Sequence, residues 1–199
     1  MPTPWMRRVR QTGQLTVKNI GGAWAGSVDT AIATFNTLNL GVKLVSAAKN
    51  ENEPNIVVKL STGSETYTHY GDSLTVNFPA NLLHGRAKTL VDRRNEIYFA
   101  AVFLPGRVSN PTPKQREVII VHELIHAAGL NGRLSNGSDD PNGDHDSVGI
   151  MYPQMMVDGD GLIEYLHEKG AKAMTPVRVG TKTMSDMQRL WAASRSKKD

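Results

Sequence analysis

The spacing of hydrophobic positions along the chain predicts the order of its elements. Residues 14–20 alternate between apolar and polar side chains, which predicts a first strand. Residues 27–39 carry apolar side chains three or four positions apart, which predicts a helix with Ser27 as its N-cap and Gly41 beyond its end. The chain is therefore expected to open with a strand and a helix.

Several strands are predicted between this helix and the middle of the chain. Residues 42–47 and 55–61 are short runs of aliphatic and β-branched side chains, separated by a polar stretch. Residues 65–91 are less regular and predict two irregular strands, with 77–85 as a bulged edge. A longer apolar strand starts at about Glu96 and ends at a Pro-Gly pair. The first half of the chain is thus rich in strands.

A central helix is predicted to begin at Thr112, where the spacing of apolar residues becomes helical. Pro113 suits the first turn of this helix, because a proline there loses no hydrogen bond. Apolar side chains cover a wide face of the helix, which predicts that it is largely buried. Gly129 is expected to end it by adopting a left-handed conformation.

The chain after the central helix is predicted to contain a loop, a turn and two helices. A loop rich in Gly, Asn and Asp fills 131–147, a turn follows at 149–153, and a helix is placed around 161–169. The last helix starts at about Ser185, which forms a capping-box pattern with Gln188. Strands first and helices later predict an α+β fold. The lack of regular strand–helix alternation argues against a doubly wound sheet.

Length and composition are those of one soluble globular domain. The 199 residues are 39% hydrophobic and 21% charged, and no run of about 18 apolar residues could span a membrane. No apolar segment follows the arginines near the N-terminus, so no secretory signal is predicted. We expect a monomer that is cytoplasmic or exported by a non-standard route, with no membrane partner.

The net charge of +4 is concentrated at the two ends of the chain. Arg7, Arg8 and Arg10 contribute +3 and residues 195–199 contribute +2, so the remaining residues sum to −1. Basic ends on a nearly neutral body predict solvated tails rather than a surface for nucleic acid. No nucleic-acid partner is therefore expected.

The central helix carries a candidate metal site. His122 and His126 are four residues apart, so on a helix both imidazoles lie on one face and can bind the same ion. Glu123 stands beside them, where a carboxylate can take a proton from an attacking water. The chain has no cysteine, so any further ligand must be His, Asp or Glu. This pattern predicts a catalytic Zn²⁺ site.

The residues beyond the motif extend it. Gly129 follows His126 by three positions, and Met151 stands in the run Gly-Ile-Met-Tyr-Pro, 22 residues beyond that glycine. Together these features resemble the metzincin metallopeptidases, and most closely the matrixin group, whose methionine turn often reads Met-Tyr-Pro. Residues 27–47, 54–60 and 184–192 are also similar to that group, so the resemblance covers about half of the chain.

The resemblance implies the architecture of a single metzincin-like, zincin-like catalytic domain over residues 1–199. Its parts would be a twisted mixed sheet, a central zinc-binding helix, a methionine turn and a C-terminal helix. The upper part of the domain would span about 12–129 and the lower part about 130–195, with the basic tails at the ends.

The resemblance also implies an activity, that of a zinc-dependent endopeptidase acting on protein or peptide substrates. Glu123 would be the general base, and the substrate would lie extended along an edge strand near 82–90. Met151 would form the floor beneath the metal ligands, and Tyr152 would line a substrate pocket.

The third metal ligand departs from the family pattern. The family places His or Asp three residues after the glycine, where this chain has Gly132. An insertion before the third ligand, as in some metzincins, accounts for this. Its candidates are Asp139, Asp140, Asp144, His145 and Asp146. We choose His145, the one imidazole of the loop, six residues before Met151, with Asp144 or Asp146 as the alternative.

Other metal sites receive weaker support from the sequence. The loop 139–146 has oxygen donors at the alternate positions that Ca²⁺ favours, namely Asp140, Asn142, Asp144 and Asp146. The same residue types are common turn formers, and the glutamate of an EF-hand loop is missing, which favours a plain loop. His69, Asp72 and His84 fit the spacing of a second zinc site poorly and are predicted to be surface or edge residues.

Two alternative functions fit the same motif. In a gluzincin-like peptidase, Glu164 or Glu168 on the following helix would complete the metal shell in place of His145. In a non-catalytic reading, zinc would only stabilise a binding or structural protein. Glu123 argues against the second alternative, because a structural zinc needs no base and closes its fourth position.

Overall fold

In the computed structural model, the residues described are 2–48, 50–77, 85–106, 111–131, 150–151, 155–157, 163–165 and 177–192. The helices are α1 Arg7–Thr12, α2 Ala25–Thr37, α3 Pro113–Ala127 and α4 Thr181–Ala192. The strands are β1 Gln14–Ile20, β2 Lys43–Ser46, β3 Ile56–Ser61, β4 Ser64–His69, β5 Asp72–Asn77, β6 Arg86–Val91, β7 Ile97–Pro105, β8 Met155–Val157 and β9 Ile163–Tyr165. Within these ranges, the helices are all too short or too polar to cross a bilayer.

The main sheet has five strands in the order β2-β1-β3-β7-β6. The first four are parallel to one another, and β6 alone pairs antiparallel, on the outer side of β7. A mixed sheet with few helices confirms the α+β prediction. The predicted strands 14–20, 42–47 and 55–61 correspond to β1, β2 and β3, and the strand from Glu96 corresponds to β7.

Helices α2 and α3 cover one face of the main sheet. Successive side chains of a strand point to opposite faces, so every second residue of β3 and β7 meets the helices. Ile56, Val58, Val102 and Leu104 belong to this core, together with Phe35 of α2. The helix that carries the candidate motif is therefore packed between its neighbour helix and the sheet.

A hairpin of β4 and β5 covers the opposite face of the sheet. Leu74 and Val76 of the hairpin are buried there against Val57, Phe99 and Phe103. The two strands pair in unbroken antiparallel register from one end to the other. The expectation of irregular strands is therefore wrong for 65–77, and the bulged edge expected at 77–85 lies mostly outside the described residues.

The rim of the hairpin contains aromatic and titratable side chains. The ring of His69 stacks on Phe99 with 3.9 Å between centroids. Burial lowers the pKa of His69, although the nearby carboxylates of Glu53 and Asp72 partly offset this. Burial first, and then the hydrogen bond that Tyr98 donates to Asp72, raise the pKa of Tyr98 to about 12. His69 and Asp72 thus lie at the exposed end of the hairpin, in line with the prediction of surface or edge residues.

The N-terminal segment is folded and not a free tail, although Arg7 and Arg8 on it are exposed to solvent. Arg7–Thr12 form α1, and Trp5 is fully buried. The guanidinium of Arg10 pairs with Glu96 at 2.9 Å and also donates to the carbonyl of Trp5. These partners draw Arg10 onto the body of the domain. The C-terminal tail 193–199 lies outside the described residues.

Three helix predictions need correction. Helix α2 begins at Ala25, directly after a short 3-10 turn, so Ser27 lies in its first turn and is not its N-cap. Helix α4 begins at Thr181, so Ser185 is inside it and forms no N-terminal capping box. Residues 163–165, predicted as helix, form β9 and pair with β8.

Candidate metal site on the central helix

Helix α3 starts where the sequence predicts. The hydroxyl of Thr112 accepts from the backbone N–H of Gln115, and the side chain of Gln115 accepts from the backbone N–H of Thr112. This reciprocal capping box, with Pro113 in the first turn, satisfies donors that a helix otherwise leaves without partners. The start of the helix, and hence the rotation of its faces, is fixed by these local contacts.

The helix ends in a turn that Gly129 makes possible. The N–H of Gly129 bonds to the carbonyl of His126, and the N–H of Leu130 bonds to the carbonyl of Ile125. These two bonds form a Schellman motif, in which the first residue after the C-cap adopts a left-handed conformation. That residue is Gly129. Gly129 has φ +117°, as the prediction of a left-handed stop required. The chain therefore doubles back beneath the last turn of the helix.

His122 and His126 face each other across a short gap. Their Nε2 atoms are 3.0 Å apart. The Nδ1 of His122 lies 2.7 Å from the carbonyl oxygen of Ile150, and the Nδ1 of His126 lies 2.7 Å from that of Leu130. A carbonyl can only accept, so each Nδ1 carries the proton. In a neutral ring this leaves the lone pair on Nε2.

This arrangement fits two ligands of one metal ion. Metal-binding histidines characteristically donate their other ring N–H to a carbonyl or carboxylate, which fixes the tautomer and the ring orientation. Two nitrogens at the usual zinc distance of about 2.0–2.1 Å in tetrahedral geometry are about 3.3 Å apart. The observed separation of 3.0 Å is close to that value. His122 and His126 could therefore hold a zinc ion between them.

Glu123 points toward the edge strand of the main sheet. Its carboxylate accepts from the backbone N–H of Ala87 at 2.6 Å, and its side chain is only 5% exposed. Gly85 provides the space for it, since a Cβ at this glycine would lie 2.5 Å from the Cγ of Glu123. A buried carboxylate is thus held in one orientation beside the histidine pair.

Met151 is buried in the core, as both readings of this methionine predict. Ile150 and Met151 form a turn and both are fully buried. The N–H of Ile150 bonds to the carbonyl of Arg178, while its own carbonyl accepts from His122. The turn therefore links the chain before α4 to the first histidine.

Several predicted site residues lie outside the described part of the chain. They are His84, the loop 139–146 with Asp144, His145 and Asp146, Tyr152 and Glu168. Glu164 is on β9 and not on a helix, which corrects its predicted setting, and only its backbone is described. Over the ranges that the structure describes, no three His, Asp or Glu side chains converge as a metal-binding group. The predicted third ligand therefore stays a prediction.

Backbone groups and one glycine orient the side chains of the site, and the sequence does not predict these contacts. The carbonyls of Ile150 and Leu130 hold the two rings, and Gly85 and Ala87 accommodate Glu123. A carbonyl acceptor leaves no mark in a sequence, because every residue has one. Gly85 gives a weak signal as a small residue just before a strand, but only the fold shows that it faces α3.

If Glu123 is the general base that the sequence predicts, replacing Gly85 by Ala is expected to reduce turnover about 10- to 100-fold, because the added Cβ displaces its carboxylate. Zinc binding should be unchanged, since the three atoms nearest to the added Cβ all belong to Glu123. Steady-state kinetics on a peptide substrate, together with zinc quantification, measure both effects. Gly26→Ala is the matched control, because a Cβ at Gly26 meets nothing within 4 Å. Equal kinetics for the two variants would contradict the role given to Gly85.

Comparisons with known proteins identify no family for this chain. No family model matches it, and no curated protein does either. One structure of myroilysin is similar at 14% identity and a TM-score of 0.35, over 58% of this chain and 47% of that one. A crystal structure of myroilysin is similar at 11% identity and a TM-score of 0.45, over 90% of this chain and 83% of that one. This chain thus spans about half the length of the first structure.

At these TM-scores the likeness to myroilysin assigns neither a fold family nor an activity to this chain. The geometry of the histidine pair and Glu123 is the basis on which a function can be argued.

Proposed function

We propose that this protein is a zinc-dependent endopeptidase of the metzincin type. The observation that carries the proposal is the pair of Nε2 atoms 3.0 Å apart, each on a ring whose Nδ1 is bound to a backbone carbonyl. The motif alone predicts only that two imidazoles share a face. The carbonyl contacts add that both rings are turned with their lone pairs toward one point.

Zinc bound at this point would polarise a peptide carbonyl and lower the pKa of an attacking water to near 7. The chain's contribution is to hold the two imidazoles in place. Both sit on a helix whose start is capped and whose end is closed by a Schellman motif. We propose His145 as the third ligand, carried there by the loop that follows.

Glu123 would move the proton in this reaction. Its carboxylate would take a proton from the water as the water oxygen attacks the carbonyl carbon. It would then give that proton to the amine nitrogen as the C–N bond breaks. The N–H of Ala87, 2.6 Å from Oε2 of Glu123, orients the carboxylate for this role.

The edge strand β6 would bind the substrate main chain. It is the last strand of the main sheet, and its described ladder runs on one side only, to β7. The backbone groups of alternate residues on such a strand point away from the sheet. The N–H of Ala87 reaches Glu123, so Ala87 and Thr89 belong to this outward set. An extended peptide added here would pass beside Glu123.

Chelation is expected to abolish peptide cleavage, and added zinc is expected to restore it. The reason is that the proposed reaction needs the ion held by His122 and His126. The measurement is cleavage of casein and of a peptide library by the parent protein, with zinc stoichiometry determined in parallel. If the parent binds zinc and chelation unfolds it, but no substrate is ever cut, the protein is a zinc-stabilised binding protein and the peptidase proposal fails.

Single alanine variants distinguish the candidate third ligands in the same experiment. His145→Ala is expected to lose zinc, whereas Asp144→Ala and Asp146→Ala are expected to keep it. Glu164→Ala and Glu168→Ala test the gluzincin-like alternative and are expected to keep zinc as well. Loss of zinc in either glutamate variant, with retention in His145→Ala, would replace the metzincin proposal by the gluzincin-like one.

A further inference from the structure

Asn131 lies at a junction of three segments just beyond the central helix. Its Oδ1 accepts from the backbone N–H of Thr3 at 3.2 Å, and its Nδ2 donates to the hydroxyl of Thr89 at 3.0 Å. Thr3 is in the N-terminal segment and is 1% exposed, while Thr89 is on the edge strand β6. One side chain thus ties the N-terminal segment, the turn after α3 and the edge strand together.

The same N–H of Thr3 also bonds to the carbonyl of Gly129 at 2.9 Å. The turn is therefore held at two successive points, Gly129 and Asn131, by one buried donor. Leu130, the residue between them, is fully buried. The peptide units on either side of Leu130 have little freedom to rotate.

This restraint bears directly on His126. The carbonyl of Leu130 and the N–H of Asn131 belong to one peptide unit, which is planar. The oxygen of that unit accepts from the Nδ1 of His126 at 2.7 Å. Anchoring Asn131 therefore sets the direction of the carbonyl that fixes the tautomer and the orientation of the His126 ring.

We propose that Asn131 is a positioning residue for His126 as a metal ligand. The proposal rests on the metal-binding part of the proposed function and adds a residue that the motif does not contain. Asn131 does not approach the ion; it acts through the Leu130 carbonyl. Its loss would leave the helix intact but would allow the carbonyl to turn away from the ring.

The other histidine provides an internal reference. The Nδ1 of His122 bonds to the carbonyl of Ile150, which is anchored by the bond from the Ile150 N–H to Arg178. Asn131 makes none of these contacts. A change at Asn131 should therefore weaken the bond from His126 to the Leu130 carbonyl and leave the bond from the Nδ1 of His122 to the Ile150 carbonyl in place.

Asn131→Ala is expected to weaken zinc binding about ten-fold, the lower end of the range for residues that orient metal ligands. In the metal-free protein, nitrogen-15 NMR of the imidazoles should show less Nδ1-protonated tautomer at His126, whereas His122 should keep its Nδ1-protonated tautomer. Competition with a chromophoric chelator measures the zinc affinity. The NMR measurement needs neither zinc nor activity.

Asn36→Ala is the matched control. Like Asn131, Asn36 makes two side-chain hydrogen bonds; both are 2.8 Å long and both are to the backbone of Leu44. It joins α2 to β2, at the opposite edge of the sheet from β6. It should lose comparable stability and keep the zinc affinity and the His126 tautomer of the parent. Equal losses of zinc affinity in both variants would mean that the effect is general destabilisation, and the proposal would be overturned.

Changes at Thr89 test the junction if Asn131→Ala does not fold. Thr89→Val removes only the hydroxyl acceptor and should produce the same selective change at His126 to a smaller extent. Thr89→Ser keeps the hydroxyl and should restore the parent behaviour. An unchanged His126 tautomer in Asn131→Ala, or in Thr89→Val where the former does not fold, overturns the proposal.

The two proposals fail in distinguishable ways. A parent protein that binds zinc and cuts peptides, with an unaffected His126 in the variants, overturns only the role of Asn131. A parent that binds no zinc overturns the proposed function, and the tautomer in the metal-free variants still decides whether Asn131 orients the ring.

Discussion

Glu123→Gln is expected to lower kcat about 10²- to 10⁴-fold, the usual contribution of a general base, while the protein keeps its zinc. The amide has nearly the shape of the carboxylate and can still accept from the N–H of Ala87. It cannot take a proton from water at neutral pH. Because the two histidines are untouched, the metal content should equal that of the parent. Kinetics on a peptide substrate, with zinc measured on the same sample, check both parts.

Glu117→Gln is the matched control for this change. Glu117 is on the same helix, is 9% exposed and interacts with Thr34 and Lys114. Its replacement makes the same chemical change in a comparably buried place, away from the histidine pair. It should leave kcat within about two-fold of the parent, as expected where no catalytic interaction is lost. A Glu123→Gln protein that cuts casein as fast as the parent would remove Glu123 from the mechanism.

Gly129→Ala is expected to destabilise the protein by about 3 kcal/mol, because two unfavourable effects add. The glycine has φ +117°, a backbone conformation that alanine adopts only with strain. Its added Cβ would also lie 2.7 Å from the carbonyl oxygen of Thr3 and from a methyl carbon of Leu190. The turn that carries the Leu130 carbonyl would have to move, so zinc affinity should fall as well. Chemical denaturation gives the change in the free energy of unfolding.

Two other glycines separate the effects at Gly129. Gly71 has φ +88° but open space around it, so Gly71→Ala should show strain alone, about 1 kcal/mol. Gly26 is inside α2 with open space and no positive φ, so Gly26→Ala should be neutral or stabilise by up to about 1 kcal/mol. If Gly129→Ala proves no worse than Gly71→Ala, the N-terminal segment yields to the new methyl group, and the turn is not rigidly held.

The elements that the sequence predicts well are those with local signals. Helix α3 has a capping residue, a proline in its first turn and a glycine after its end, and each signal acts within a few residues. Strands β1, β3 and β7 are short apolar or alternating runs whose burial requires no knowledge of their partners. For these segments, local preference and tertiary packing favour the same structure.

The turn of the β4–β5 hairpin lacks the usual sequence signal for its type. Its two central residues, Tyr70 and Gly71, both have positive φ, of 49° and 88°, which is the pattern of a type I′ turn. Asn-Gly and Asp-Gly are the usual signals for that turn, and tyrosine is unusual in it. The strands themselves expose most of their side chains. Their pairing is therefore set by the turn and by a few buried residues, not by a strong apolar pattern.

The remaining differences depend on contacts between distant segments. Residues 163–165 form a strand because they pair with 155–157, which no local preference encodes. Helix α4 begins four residues before Ser185, and its buried residues Thr183, Met187 and Trp191 are spaced four apart along one face. This buried face determines the position of the helix, and the pattern of Ser185 and Gln188 does not mark its start.

In the candidate site, too, local features are predictable from the sequence and contacts between distant segments are not. Its side chains could be predicted, because a helix brings residues four positions apart to one face. The groups that orient those side chains could not, since the carbonyls of Leu130 and Ile150 and the junction at Asn131 depend on how the turns fold back. The third ligand stays a prediction, because the loop 139–146 offers several candidate donors besides His145.

Two indole groups meet the last turn of the central helix. Trp5 donates to the carbonyl of Ala127 at 3.0 Å, and Trp191 donates to that of Ala128 at 3.2 Å. They are two of only three tryptophans in the chain. Two of the three indoles that can report by ultraviolet emission therefore lie beside the helix end that holds His126, so their emission offers a label-free reporter of changes at that end.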